Sequence, residues 1–311
     1  MRFTVDAWDP AYGSSVESAM QSSEATVVVD VELPEAQWAP RRPAVAAPSE
    51  IVFVDGVRRL EARTWIEIGA TDALPGIFAS YAAGSVRCDG KATVGPVIVG
   101  RGVYSPAPHL DDVATSLGRF VARPSRDATP EALTYAVHED MADCEVRIAE
   151  DVRRKYDGLI VLDGPLRKRG HIADAIGLVK SHYVRYLPAA LDRVVGSLGP
   201  GERTPAFRVD AAPFSRISWY VRLPGPAGGP WAGIVRCEAS GALRSDLVTA
   251  LADHVTVALP RFASAPHKDG RAPQNLYPIG GLERELRHRL GDTGVVYRAL
   301  RRASALATSA A

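Results

Sequence analysis

The stretch Leu159-Ile-Val-Leu-Asp-Gly-Pro165 sets four consecutive apolar residues in front of an acid, a glycine and a proline. So short a run of aliphatic, partly β-branched residues reads as a strand covered on both faces, the kind found in a mostly parallel or mixed sheet flanked by helices. Asp163 then ends a buried strand, and Arg167, Lys168 and Arg169 follow at once, a cationic patch suited to an anionic ligand. A second stretch has the same design: Ile51-Val-Phe-Val, then Asp55-Gly56, then Arg58 and Arg59. Asp-Gly is also a strong turn signal, so a plain turn is the alternative for each copy. Two copies, each followed by basic residues, weaken that alternative.

Around these strands the chain reads as α/β. Ala25 to Leu33 is strand-like and is followed by a proline- and alanine-rich loop, so residues 1–48 are expected to form an N-terminal arm or edge strand, with one domain over 49–311. Beyond Asp55, Thr64–Gly69, Gly76–Ala83 and Gly95–Gly100 are short strand candidates separated by glycine, which predicts an antiparallel meander. The longest helix opens at Pro130, with Thr129 at its N-cap. Leu133, Val137, Met141, Cys144, Ile148 and Val152 recur at three- and four-residue intervals along it, a stripe that must face the sheet. Glu145 lies at the edge of that stripe, where an acid pairs, stays in water at the boundary, or binds a cation. Ala173 to Lys180 is an apolar stretch whose final lysine either meets a phosphate or stands in solvent. Ile217–Leu223 and Trp231–Glu238 predict a hairpin, Ser245 and Asp246 cap a helix ending at Pro260, and two more helices lie near Gly281–Leu290 and Val295–Ala307.

Cys88, Cys144 and Cys237 are far apart, which indicates neither a zinc cluster nor a disulfide framework and fits a reducing cytoplasm. No signal core opens the sequence and no window is long and apolar enough to span a bilayer. A formal charge of +1 argues against coating nucleic acid through bulk electrostatics, while leaving room for local basic patches. Walker loop, dinucleotide fingerprint and nucleophile elbow are all missing, so the chemistry rests on acids. Asp55, Asp163 and Glu145 offer oxygen ligands for Mg²⁺ or Mn²⁺, and two such ions about 4 Å apart activate water and stabilise the leaving oxygen of a phosphodiester.

The order of short motifs resembles the NurA nuclease family. The motifs are Phe53-Val-Asp-Gly56, Glu145-Val-Arg147, Leu162-Asp-Gly-Pro-Leu166 and Gly177-Leu-Val-Lys180, then Tyr220-Val-Arg-Leu223, Arg236-Cys-Glu238 and Leu259–His267. The resemblance implies an RNase H-like mixed sheet flanked by helices, a homodimer, and Mn²⁺-dependent cleavage of DNA that includes exonuclease action from 5′ ends. It also implies partnership with a HerA-like hexameric ATPase, in DNA end processing or defence against foreign DNA. Carried over by position, Asp55, Glu145 and Asp163 match the metal ligands, and His267 matches a C-terminal catalytic or metal-binding residue. From their own positions rather than from the resemblance, Lys180, which ends an apolar segment, is expected to place a charge on the scissile phosphate, and Arg58, Arg59, Arg167, Lys168 and Arg169 to contact nucleic acid. Val57 and Pro165 stand where a serine is usual, Leu259 replaces a tyrosine and Pro266 an alanine. The competing readings are a catalytically silent scaffold of the same fold and another RNase H-like enzyme acting on RNA or junctions.

Overall fold

The computed structural model describes residues 8–9, 12, 16–69, 71–211, 214–226 and 228–310. In chain order the elements are β1 (Val16–Ser22), β2 (Thr26–Val28), β3 (Ile51–Glu67), β4 (Ala73–Cys88), β5 (Ala92–Ser105), β6 (Val113–Thr115), β7 (Gly118–Pro124) and α1 (Pro130–Arg153). There follow β8 (Leu159–Asp163), β9 (Ala175–Val179), β10 (His182–Arg185), α2 (Ala189–Ser197), β11 (Phe207–Ala211), β12 (Phe214–Arg222), β13 (Ile234–Ser240), α3 (Ser245–Ala258), α4 (Tyr277–Arg289) and α5 (Thr293–Ala310). The protein is mixed α/β, with a large mixed sheet flanked by helices. Its contacts divide into two units, each made of three chain segments. Among the described residues no helix is long and apolar enough to cross a membrane.

The first unit comprises Met1–Phe53, Val86–Thr93 and Val152–Gly280. Its strands run in the order β2-β11-β12-β13-β9-β8. The β8/β9 pair is parallel, with Asp163 opposite Leu178, and the other four pairings are antiparallel. The predicted hairpin is β12–β13. Trp38, Leu191, Val195, Phe207 and Tyr220 form its hydrophobic cluster. The strand expected over Ala25 to Leu33 is confined to β2. Asp30 accepts the Glu35 N–H (2.7 Å) and turns the chain, while Glu32 leaves to pair with the fully buried Arg203 at 2.7 Å. β1, which the sequence reading missed, pairs in parallel with β10 as a separate two-stranded sheet. Residues 1–7, 10–11 and 13–15 of the predicted arm lie outside the described residues. α3 is preceded by Arg244 rather than opened by a Ser245 cap, and Pro260 falls in a 3₁₀ turn, Leu259–Phe262, that follows it. The side chain of Ser245 lies outside the described residues.

The second unit comprises Val54–Ser85, Val94–Asp151 and Gly281–Ala311, with the strand order β3-β4-β5-β7-β6. The predicted short strands at Thr64, Gly76 and Gly95 are parts of three long ones. β3 alone is 17 residues, and it passes through Asp55-Gly56 without turning. The links between β3 and β4 (68–72) and between β4 and β5 (89–91) are too short for parallel crossovers, so this is the expected meander. α1 begins as predicted. Thr129 Oγ1 accepts the Ala132 N–H at 3.3 Å, and all six residues of the apolar stripe are buried. Val296 and Leu300 of α5 pack on Phe120, whose ring meets Phe78 edge-on at 5.3 Å.

Candidate functional site

In the first unit, parallel pairing sets the ends of β8 and β9 at one edge of the sheet, the place where open α/β sheets collect their ligands. Asp163 is the last residue of β8 and Lys180 the first after β9. Lys180 Nζ lies 2.7 Å from Asp163 Oδ1 and donates to Asn275 Oδ1 at 2.7 Å. Asn275 in turn donates to Asp269 Oδ2 at 2.7 Å. Lys180 is thus not the solvated strand-end lysine of the alternative reading: only 8% of it is exposed. Asn275, fully buried, was not singled out from sequence, because nothing local marks a loop amide as the partner of a residue 95 positions away.

The turn after Asp163 is braced from three sides. Arg169 is buried and donates to the carbonyls of Asp163 (3.1 Å) and Pro165 (2.6 Å). Glu238 Oε2 accepts the Leu166 N–H at 2.9 Å. On β9, a Cβ at Gly177 would sit 2.6 Å from Leu166 N, so only glycine lets the turn lie this close. Arg169 therefore supports the backbone, whereas Arg167 and Lys168 remain exposed. Asp163, Arg167, Lys168 and Lys180 line a cavity of about 1020 Å³, together with Arg216, Arg236 and Glu238 of the β12–β13 hairpin. Glu238 is 1% exposed and pairs with both Arg216 (3.0 Å) and Arg236 (2.6 Å). Burial lowers the basicity of Arg236, but the carboxylate of Glu238 together with Tyr220 and Tyr186 more than offsets that effect and the guanidinium stays charged.

His182, also on the cavity wall, is held neutral. Burial drives its pKa down to about 4, against the raising effect of its bond to the Ile234 carbonyl (3.1 Å). His267 sits on an exposed turn where Ala265 O accepts the N–H groups of Lys268 (2.9 Å) and Asp269 (3.1 Å). The residue of this loop that reaches Lys180 is Asn275.

In the second unit Asp55 is 4% exposed and lies inside β3, not at a strand tip. Side chains alternate along a strand, and the neighbours of β3 identify the two faces. A Cβ on Gly56 would lie 2.6 Å from Glu145 Oε1, and Arg58 approaches His138 of α1 at 3.5 Å, so the even-numbered face looks to α1. Arg59 donates to Glu61 (2.8 Å) and to the Gly291 carbonyl (2.8 Å) just past α4, so the odd-numbered face, with Asp55, looks to α4. Glu145 is buried at 5% exposure on the face opposite Asp55. Within this unit a carboxylate of α4, Glu283, comes within reach of Asp55, with ligand oxygens no more than 4.8 Å apart. Arg58 and Arg59 likewise point to opposite faces. Glu283 had a signal that was overlooked, since it interrupts the apolar stripe Ile279, Leu282 and Leu286 of α4. No family model matches this chain, and no curated protein does either.

Proposed function

We propose that this chain is a metal-dependent nuclease with an RNase H-like core, akin to the NurA family, that cuts DNA phosphodiester bonds. The observation that carries it is the Asp163–Lys180 pair, a carboxylate and an ammonium 2.7 Å apart at a strand edge that opens into a basic cavity. Lys180 supplies a point charge for a phosphate and Asp163 an oxygen ligand for a cation. In the second unit the donor set also suits a hard cation. Asp55 and Glu283 are both carboxylates with oxygens within 4.8 Å of each other, the donor type that Mg²⁺ and Mn²⁺ take. When bound, Mg²⁺ or Mn²⁺ polarises a phosphodiester and acidifies water. Glu145, buried among the residues that pack α1 on β3, is a support for that strand.

End-labelled single- and double-stranded DNA and RNA, incubated with and without Mn²⁺ or Mg²⁺, test the reading. Cleavage should need the metal, and Asp55→Asn, Asp163→Asn and Glu283→Gln should each lower it by about a hundredfold or more. Glu145→Gln should cost less than Glu283→Gln. A wild-type rate in Asp163→Asn, or cleavage undiminished by chelator, would overturn the proposal.

The silent-scaffold reading keeps one supporting observation. Leu259, where the NurA family has a tyrosine, is fully buried and supplies no hydroxyl. Absence of cleavage on every substrate and metal would select it. The working unit in this proposal is a homodimer served by a HerA-like ATPase, since the chain has acids but no phosphate-binding loop of its own to drive a motor. Light scattering and co-purification with such an ATPase check those two partners.

A further inference from the structure

The cavity beside Asp163 carries an imbalance of charge that its own residues do not resolve. Arg167, Lys180, Arg216 and Arg236 line it against two carboxylates, Asp163 and Glu238, in a chain whose formal charge is only +1; Lys168 and Arg271, the latter 3.8 Å from Asp269, line it too. The excess reaches the buried wall. Side-chain exposure is 18% for Arg216 and 8% for Arg236, and among the described residues the only carboxylate paired with either is the one they share, Glu238. Two guanidinium ions on one carboxylate leave a buried positive charge, which is costly unless an anion joins it. The Nε of Arg236 is also buried, and among the described residues it meets no hydrogen-bond acceptor. Both arginines lie over the ring of Tyr186, at 4.5 Å for Arg236 and 5.4 Å for Arg216, which fixes their planes. Large rings stand exposed on the same cavity: Tyr183 is 55% and Phe214 40% exposed.

We propose that this cavity is a pocket for a terminal nucleoside monophosphate, its phosphate on Arg216 and Arg236 and its base against Tyr183 or Phe214. The proposal rests on the nuclease reading for the nature of the strand and adds to it a recognition of the strand's end. An end phosphate carries about −1.5 to −2 charges near neutral pH, whereas an internal phosphodiester carries about one. A cavity in which two guanidinium ions share one carboxylate therefore favours the end over the middle of a strand. Guanidinium forks match phosphate oxygens in pairs, and bases stack on exposed rings whatever their identity. The volume, about 1020 Å³, is at the upper end of the range of about 300–1,000 Å³ for small-ligand sites, and holds a nucleotide with room for the strand to leave.

Fluorescence anisotropy in chelator, where nothing is cut, tests it with one short single strand in three forms: 5′-phosphate, 3′-phosphate, and hydroxyl at both ends. One phosphorylated form should bind about tenfold tighter than the hydroxyl form, and free nucleoside monophosphate should compete. Competition by the free nucleotide without any gain from an end phosphate would sustain the pocket and name the free nucleotide as its source. Equal binding of all three strands with no competition would overturn it. Arg216→Gln should abolish the preference. Should that variant unfold, Lys168→Ala and Phe214→Ala, both at exposed positions, should still reduce the preference, and its full retention in both would overturn the assignment. Cleavage of the hydroxyl-ended strand with Mn²⁺ is scored separately. Its failure sinks the nuclease reading, while loss of end preference alone sinks only the pocket.

Discussion

His182 shows how strongly position alone sets chemistry here. Its Nε2 donates to the Ile234 carbonyl, its ring packs on both Tyr220 (5.8 Å) and Trp231 (5.2 Å), and its pKa falls from 6.5 to about 4. The folded protein thus binds this proton less readily than the unfolded chain does. The stability that results is complete above about pH 6.5, declines as the pH falls, and is lost by about pH 4, an effect of about 3 kcal/mol. Denaturant titrations of His182→Gln should show a pH dependence in that window shallower by about one proton. An unchanged slope would assign the effect to another group. The residues of the candidate site were unevenly legible. Asp163 and Lys180 stand out as a charge closing an apolar run. Glu283 is visible only once α4 is drawn as a helix, and Asn275 not at all, because its role exists only through Lys180.

At the level of elements, the decisive event is parallel pairing of β8 and β9, which puts two chain-distant strand ends at one edge. The packing of the turn onto β9 makes Gly177 irreplaceable. An added Cβ meets Leu166 N at 2.6 Å and Gly164 O at 2.8 Å, both backbone atoms that cannot rotate away. Gly56 differs, because its added Cβ meets the mobile ends of Glu145 and Met141. Gly177→Ala should therefore destabilise the protein by roughly 1–3 kcal/mol in urea unfolding, and more than Gly56→Ala. The reverse order would show that the turn, not the side chains, yields. The two Asp-Gly pairs part company for the same kind of reason. At Asp163 the chain closes through Gly164, at φ 79°, and bonds back to Leu178 O (2.9 Å). At Asp55, Gly56 stays extended and gives α1 space to approach.

Across the whole molecule, each unit draws on three separate chain segments, so neither is a continuous stretch that can be cut out. Residues 152–280 hold most of the first unit but lack Glu32, which balances the buried Arg203 along with Asp253, and Trp38 of the hydrophobic cluster. A fragment of those residues should show no cooperative thermal transition, since breaking a buried ion pair costs about 3–5 kcal/mol before any loss of packing. A sharp native-like melt would refute this. The sequence by itself determined β8 and its acid, the register and cap of α1, and the β12–β13 hairpin. Each follows from periodicity and capping within a few neighbouring residues. The tertiary structure alone decided that β3 runs on through Asp55-Gly56, that Asp55 faces α4 while Glu145, on α1, meets the other face of β3, and that Lys180 is buried against Asp163 and Asn275. Those outcomes depend on which distant segments pair and pack, and the energies of such contacts are not written in any local pattern.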